Sequence, residues 1–235
     1  MEIQAAIAKV DSYTSPQEGD KVEIIERPNG GISIIMAEGK LDNQRSKAIS
    51  IKAVHALMGL ISDGIHDGAA SRAVLTNLKN EHHGRASVAL SVISCDLESQ
   101  TIIITKNNCV PVVIIRPERV DFLNLESETL AGGCITPAVF QFQLESDLTF
   151  FLLSDGICSA GGQSHQSLDI REIMETFLED QSMDVQAMAD FVLNQAISLD
   201  TGEPKDDMTV VVFRVRPVLF NGIRRVSIQF PIKPA

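Results

Sequence analysis

The sequence predicts an α+β fold built from antiparallel strands and two pairs of helices. Segments rich in Val and Ile, separated by short polar turns, are typical of strands. Longer segments carry apolar residues at helical spacing. Strands and helices occur in groups rather than in strict alternation, which indicates an α+β architecture. Two sheets stacked face to face, with a helix pair outside each, would bury both helix pairs, although periodicity alone also allows a simpler two-layer arrangement.

The first part of the chain predicts three strands and two helices. The strands are expected over Ile3–Val10, Lys21–Arg27 and Gly31–Ala37. The Pro-Asn-Gly-Gly sequence at 28–31 is typical of a hairpin turn, because Asn and Gly tolerate positive φ. A helix is predicted from about Asn43 to Ile65 with Asp42 as its N-cap, and a second from about Gly68 to Lys79.

The remainder predicts mostly strands, followed by a second helix pair. Strands are expected over Ala86–Ser94, Thr101–Thr105, Pro111–Arg116, Val139–Leu144, Leu148–Leu153 and Met208–Val215. Helices are predicted near Leu168–Leu178, capped by Ser167 or Asp169, and near Val185–Ser198. After Pro217, the segment Val218–Phe230 reads either as an added edge strand, expected over Arg225–Phe230, or as a tail that binds a partner, and the sequence favours the strand because its apolar residues need cover.

Charge and composition exclude several classes of function. The 235 residues have a formal net charge of −11, whereas binding to a phosphate backbone requires a basic stripe. No apolar run reaches the ~20 residues that span a bilayer, and Met1–Val10 lacks the features of a signal peptide. The four cysteines have no zinc-like spacing, so we expect reduced, buried thiols. These observations predict a cytoplasmic protein without nucleic-acid or membrane partners.

Acidic residues stand at four places where a strand begins or ends. Asp20 precedes one predicted strand, Glu38 and Asp155 each follow one, and Asp206-Asp207 precede the last. Carboxylates that meet in a poorly solvated cleft repel one another unless a cation neutralises them. Oxygen ligands favour magnesium, manganese or calcium over zinc. Each Asp-Gly pair alone is more often a simple turn, so the prediction of a metal site depends on the ordered set.

Four ordered motifs resemble bacterial protein phosphatase 2C-like enzymes. They are Gly19-Asp20, Glu38-Gly39, Leu152–Ile157 and Lys205–Val210. The branch typified by sporulation stage II protein E and the phosphatases of stress-response sigma-factor pathways is the most similar, and residues 132–149 are similar to its approach to the third motif. The resemblance covers roughly Ile3 to Arg216. It therefore predicts a phosphatase-like domain over 1–216 and a C-terminal extension over 217–235.

The resemblance implies a four-layer αββα sandwich and a metal-dependent protein serine/threonine phosphatase that uses a metal-activated water. Two divalent ions, Mn²⁺ or Mg²⁺, are implied. The implied ligands are the side chains of Asp20, Glu38, Asp155 and Asp206 and the carbonyl of Gly39, with Asp207 orienting them. The implied partner is a phosphorylated regulatory protein, such as an anti-sigma-factor antagonist.

The second motif departs from the family pattern, which usually has Asp where this chain has Glu38, and Lys40 adds a positive charge nearby. This departure favours an alternative, a catalytically impaired phosphatase fold that acts as a regulatory or binding module. A small-molecule phosphohydrolase and a purely structural domain are two further alternatives. We assign no catalytic role to the histidines, which are His55, His66, His82, His83 and His165.

Overall fold

The computed structural model describes residues 1–13, 19–125, 136–162, 166–218 and 222–231, and within them the strands form two antiparallel sheets. Sheet 1 has the spatial order β1–β11–β10–β7–β8. Its strands are β1 (Glu2–Val10), β7 (Val112–Arg116), β8 (Arg119–Leu123), β10 (Leu148–Leu153) and β11 (Met208–Arg216). The pairing of β1 with β11 joins the first strand to the last strand of the described residues, with Ile7 opposite Val211.

Sheet 2 has the order β2–β3–β5–β6–β9, with a short strand β4 paired to the end of β3. Its strands are β2 (Lys21–Glu26), β3 (Gly31–Leu41), β4 (Gln44–Arg45), β5 (Ala86–Asp96), β6 (Thr101–Lys106) and β9 (Ala138–Gln143). The predicted hairpin turn joins β2 to β3. Gly30 and Gly31 adopt φ values of 87° and 96°, and Arg27 N donates to Gly31 O at 3.1 Å.

Helix pairs cover the outer faces of both sheets in the described residues. The helices are α1 (Lys47–Ser62), α2 (Asp67–Glu81), α3 (Asp155–Ser159), α4 (Ile170–Glu179) and α5 (Val185–Leu199). The α1–α2 pair packs on sheet 2, and the α4–α5 pair packs on sheet 1. Asp184 caps α5 by accepting from Gln186 N and Ala187 N, both at 2.9 Å. Asp169, rather than Ser167, caps α4.

Alternating residues of the same strand supply different cores. In β3, Ile34 and Met36 pack between the sheets, whereas Ile35 and Ala37 face α1 and α2. The core between the sheets includes Phe150 and Phe213 of sheet 1, which are fully buried. This period of two is the one expected of a strand that is buried on both faces. The layers are therefore helices, sheet 2, sheet 1 and helices, which confirms the four-layer sandwich.

The first helix was predicted to begin too early. Asp42 is not its N-cap, because α1 begins at Lys47 after Ser46. Asp42 and Asn43 instead have positive φ values of 52° and 63° and form the two-residue turn between β3 and β4. Asp and Asn are favoured both at N-caps and in tight turns, and the pairing of Leu41 with Gln44 selects the turn here.

Three short elements were not predicted, namely β4, β8 and α3. The predicted strand over Arg225–Phe230 is wrong, since residues 222–231 have no regular secondary structure. Three apolar side chains of this segment are 82–86% exposed, those of Val226, Ile228 and Phe230. The last strand of the sandwich ends at Arg216, and the division at 216 and 217 remains a prediction. Among the described residues, no helix combines the length and apolar character that crossing a bilayer requires.

Candidate active site

The acidic residues singled out from the sequence lie at one edge of the interface between the two sheets. Sheet 2 contributes Asp20, directly before β2, and Glu38, within β3. Sheet 1 contributes Asp155, which begins α3 just after β10, and Asp206, which precedes β11. A cleft at this edge is lined by three of these carboxylates together with Ser154. Strand ends that are far apart in the chain therefore bring their carboxylates together.

Asp20 is 1% exposed and only partly satisfied. Its Oδ2 accepts a hydrogen bond from Thr209 Oγ1 at 3.0 Å, while its Oδ1 has no partner among the described residues. Burial raises the pKa of Asp20 to about 7, against the lowering effect of the Thr209 hydrogen bond, and the charges of Glu38, Asp207 and Asp155 raise it further. A buried acceptor of this kind requires a proton or a cation.

Asp207 holds Asp20 and the N-terminal segment in place. The Asp207 carboxylate is fully buried and accepts from Ser12 N through Oδ1 and from Asp20 N through Oδ2, both at 2.8 Å. Burial raises the pKa of Asp207, and these backbone hydrogen bonds oppose the rise. Asp207 is therefore placed to orient Asp20 rather than to face the cleft.

Two glycines of the acidic motifs allow close contact with Asp207. A Cβ at Gly19 would lie 2.6 Å from Asp207 Oδ2, and one at Gly156 would lie 2.1 Å from Asp207 O. Ser154 adds a second link between the strands, because its Oγ accepts from Thr209 N at 2.9 Å. The glycine after Asp155 thus lets the start of α3 pack directly against the chain that leads into β11.

Glu38 does not follow β3 but lies inside it, because the strand continues to Leu41. The Glu38 side chain contacts two cations, with Oε1 3.0 Å from Lys40 Nζ and 3.5 Å from Arg45 Nη2. Burial is the main cause that raises the pKa of Glu38, and the Asp155 charge adds to it, whereas Arg45 and Lys40 lower it. The carboxylate is therefore held within an ion-pair network.

Gly39 allows α1 to begin close to β3. Its N–H donates to Ser50 Oγ and its carbonyl accepts from Ser46 N, both at 2.8 Å. A Cβ here would lie 2.5 Å from Ser50 N. One lone pair of the Gly39 carbonyl is thus already used, which leaves the second for any other donor or cation.

Arg45 is the site residue that the sequence did not predict. Its Nη2 donates to Asp155 Oδ1 and Oδ2 at 3.2 and 3.1 Å and also pairs with Asp206. Burial raises the pKa of Asp206 to about 6, with Asp155 adding to the rise and Arg45 opposing it. The signal that could have revealed Arg45 is Asp42-Asn43, read as a two-residue hairpin turn, which places Arg45 opposite Lys40.

The donor set fits divalent ions of the magnesium type in its chemistry, because it consists of carboxylate oxygens and includes Asp20 Oδ1, a buried oxygen to which no described residue donates a hydrogen bond. Even so, within the described ranges no group of three or more His, Cys, Asp or Glu side chains is already arranged to hold a metal ion. The carboxylates of Glu38, Asp155 and Asp206 are instead arranged around Arg45. Two parts of the sequence prediction lie outside the described residues, namely residues 132–135, which belong to the segment before the third motif, and His165.

Comparison with known proteins identifies the family. The sequence model of Stage II sporulation protein E matches residues 42–216. The chain belongs to the Stage II sporulation protein E family. Asp155, Asp206 and Asp207 fall within the matched residues, whereas Asp20 and Glu38 precede them.

Two curated family members are distant and much longer. The chain is 23% identical over 201 residues to Stage II sporulation protein E of Priestia megaterium, covering 84% of this chain and 34% of that protein. The Bacillus subtilis protein is 24% identical over 205 residues, with 84% of this chain and 24% of that protein covered. The chain therefore spans about a third and a quarter of the length of these two relatives.

Solved structures share the fold. The PP2C phosphatase domain of SpoIIE from Bacillus subtilis, with a fragment of its regulatory domain, superposes with a TM-score of 0.71 at 21% identity over 92% of this chain and 64% of that one. The Mycobacterium tuberculosis serine/threonine phosphatase PstP/Ppp superposes with a TM-score of 0.66 at 14% identity, over 92% of this chain and 99% of that one. The family member described here thus has the PP2C phosphatase fold.

Proposed function

We propose that this chain is a metal-dependent protein serine/threonine phosphatase. The observation that carries the proposal is that Asp20, Glu38 and Asp155 line one cleft of a PP2C fold. The fourth carboxylate, Asp206, is joined to Asp155 through Arg45. The buried Oδ1 of Asp20, which has no hydrogen-bond partner in the described part of the chain, supports the proposal, since a cation would satisfy that oxygen. Family membership supports the same class of activity.

In this proposal the four carboxylates and the free lone pair of the Gly39 carbonyl hold divalent ions, Mn²⁺ or Mg²⁺. When bound, such ions stabilise charge on the phosphoryl oxygens and favour deprotonation of the attacking water. Thr209 and Asp207 hold Asp20 in position through its Oδ2 and its N–H. The proposal assigns no role to a histidine, and none of the four described histidines lines the cleft.

The proposed substrate is phosphoserine or phosphothreonine on a regulatory protein, such as an anti-sigma-factor antagonist. Structural neighbours support a regulatory context, since they include the RsbU and RsbW domains of Rv1364c from Mycobacterium tuberculosis, at a TM-score of 0.68 and 17% identity. Another neighbour is PppA, described as a key regulatory component of T6SS in Pseudomonas aeruginosa, with a TM-score of 0.67 and 12% identity. These likenesses are of fold, so the substrate is part of the proposal.

A second candidate is a phosphatase fold that binds a partner without hydrolysis. The contacts of Lys40 and Arg45 with Glu38 favour it, because both cations compete with a metal for that carboxylate. Mn²⁺-dependent turnover of p-nitrophenyl phosphate by the wild type, lost in Asp155→Asn with unchanged folding, would support the phosphatase. No turnover by a folded wild-type protein at any Mn²⁺ or Mg²⁺ concentration would favour the binding module. Faster hydrolysis of nucleotides than of phosphopeptides would instead indicate a small-molecule phosphohydrolase.

A further inference from the structure

The Arg45 guanidinium lies among three of the four carboxylates. Its Nη2 is 3.1 Å from Asp155 Oδ2 and 3.5 Å from Glu38 Oε1, and it pairs with Asp206 as well. The Arg45 side chain is 20% exposed, and its Nη1 is buried without a hydrogen-bond partner among the described residues. These contacts give three carboxylates one shared positive charge.

The β3–β4 hairpin sets the backbone position of Arg45 beside the cleft. Asp42 and Asn43 turn the chain so that Arg45 pairs with Lys40 across the hairpin. The next residue, Ser46, donates its N–H to Gly39 O at 2.8 Å, which ties the hairpin to the start of α1. A side chain presented from such a hairpin has less conformational freedom to lose than one on a mobile loop. The contact therefore follows from the local fold.

We infer that Arg45 is a resident cation that competes with a divalent ion for Glu38, Asp155 and Asp206. The inference rests on the proposed function. A guanidinium and a divalent ion repel each other at contact distance in a partly buried site, so an ion enters this part of the cleft only when Arg45 leaves it. Asp20 is outside this competition, because no contact joins it to Arg45 and its Oδ1 has no partner among the described residues. The site thus has an open part at Asp20 and a part closed by Arg45.

The competition predicts opposite effects of Arg45 on the metal-free and metal-loaded protein. Without metal, Arg45 offsets repulsion among the carboxylates, so its removal lowers stability. With metal, its removal abolishes the competition and tightens binding. Lys40 is 40% exposed and its one ion pair in the described residues is with Glu38, so its removal has a smaller effect of the same kind.

The test uses Mn²⁺ as the only ligand and the whole 235-residue chain. Calorimetric titration and thermal unfolding, in EDTA and in Mn²⁺, are compared for the wild type, Arg45→Ala and Arg45→Gln. Arg224→Ala is the matched control, because Arg224 forms an exposed ion pair with Glu26, with its guanidinium side chain 81% exposed. Since a unit charge a few ångströms away is removed, the Arg45 variants should bind Mn²⁺ about tenfold or more tightly. Their Tm should fall in EDTA and rise more with Mn²⁺.

Three outcomes are distinguishable. Tighter Mn²⁺ binding by either Arg45 variant, with Arg224→Ala unchanged, supports the inference. Equal binding by the wild type and both Arg45 variants overturns the inference and leaves the proposed function intact. Absence of Mn²⁺ binding in the wild type and in both variants overturns the inference and the proposed function together. The conclusion requires only one of the two Arg45 variants to be folded without metal, because that variant alone can be titrated with Mn²⁺ and compared with the wild type.

Discussion

Asp207 Oδ2 accepts a hydrogen bond from Asp20 N at 2.8 Å, which joins residues 187 positions apart in the chain. The other oxygen of Asp207 accepts from Ser12 N at 2.8 Å. One buried carboxylate thus fixes both the segment after β1 and the residue before β2. This relationship explains why a residue that lies beside the cleft matters for the position of the carboxylates inside it.

Asp207→Ala should destabilise the fold. The change removes the acceptor of the Ser12 and Asp20 backbone N–H groups, and removing the partner of a buried donor costs about 1–3 kcal/mol. We expect a loss of roughly 2–4 kcal/mol in the free energy of unfolding, measured by urea denaturation. The control is Asp190→Ala, which removes an exposed carboxylate that accepts from Gln186 Nε2. Equal stability of Asp207→Ala and the control would contradict this role.

Gly156→Ala and Gly59→Ala should have opposite effects. A Cβ at Gly156 would lie 2.1 Å from Asp207 O, a backbone atom that cannot move without disturbing the start of β11. Gly59 lies inside α1, and a Cβ there meets nothing within 4 Å. Alanine should therefore destabilise at 156 by more than about 2 kcal/mol and stabilise at 59 by about 0.5–1 kcal/mol. Thermal unfolding of both variants tests the pair, and a neutral Gly156→Ala would show that the contact can relax.

Lys106 should make stability rise with pH in the alkaline range. Its side chain is fully buried, donates to Val110 O, and burial lowers its pKa from 10.5 to about 8. Between these values the unfolded chain binds the proton more than the folded one does, so the free energy of unfolding increases with pH. The contribution has a maximum slope of about 1.4 kcal/mol per pH unit.

The contribution of Lys106 to the pH dependence of stability is obtained by comparing the wild type with a variant that lacks the lysine amine. Burial raises the pKa of Cys95 and of Cys158 to about 11, and these thiols contribute an opposite slope in any variant. Urea unfolding of the wild type and Lys106→Met is measured between pH 8 and 10.5. Over this range the free energy of unfolding should rise less steeply with pH, or fall more steeply, in the variant than in the wild type. Parallel profiles would mean that Lys106 titrates normally in the folded state.

Asp20 should make the metal-free protein less stable as pH rises from about 4 to 7. Its pKa is raised from 3.8 to about 7, so the folded state holds the proton more strongly over this range and loses that advantage as pH rises. Asp206, with a pKa of about 6, acts in the same direction. In EDTA, we expect the decrease in the free energy of unfolding between about pH 4 and 7 to be smaller in Asp20→Asn than in the wild type, by on the order of 2–4 kcal/mol. Urea unfolding at several pH values measures this difference. An unchanged pH profile in the variant would contradict the raised pKa.

The element order and the family resemblance together predicted the four-layer architecture, which periodicity alone left open, and the sequence also located the acidic residues at strand ends. The burial of β3 on both faces is visible locally, because Ile34, Ile35, Met36 and Ala37 are all apolar, whereas their alternation between two cores is seen only in the structure. The placement of Asp155 and Asp206 beside long apolar strands was also visible locally. β10 and β11 are antiparallel neighbours, so the residue after the end of β10 and the residue before the start of β11 lie at the same edge of sheet 1.

The rest depends on contacts that are distant in the chain. Arg45 was missed because Asp42 is equally suited to an N-cap and a turn, and only the pairing of Leu41 with Gln44 decides between them. The strand Arg119–Leu123 was missed because it is short and partly exposed, and its partner strand is what stabilises it. The strand predicted over Arg225–Phe230 is wrong because a strand also needs a partner. The alternation of Val226, Ile228 and Phe230 is typical of a strand, but no described strand pairs with this segment.

The most direct test of the proposed chemistry is phosphate release from a phosphoserine peptide, measured with Mn²⁺ and with EDTA for the wild type and Asp155→Asn. We predict release by the wild type in Mn²⁺, none above background in EDTA, and a loss of at least about a hundredfold in Asp155→Asn, because the variant loses a carboxylate proposed to hold the divalent ions. Equal release with and without Mn²⁺, or full activity in a correctly folded Asp155→Asn, would contradict it.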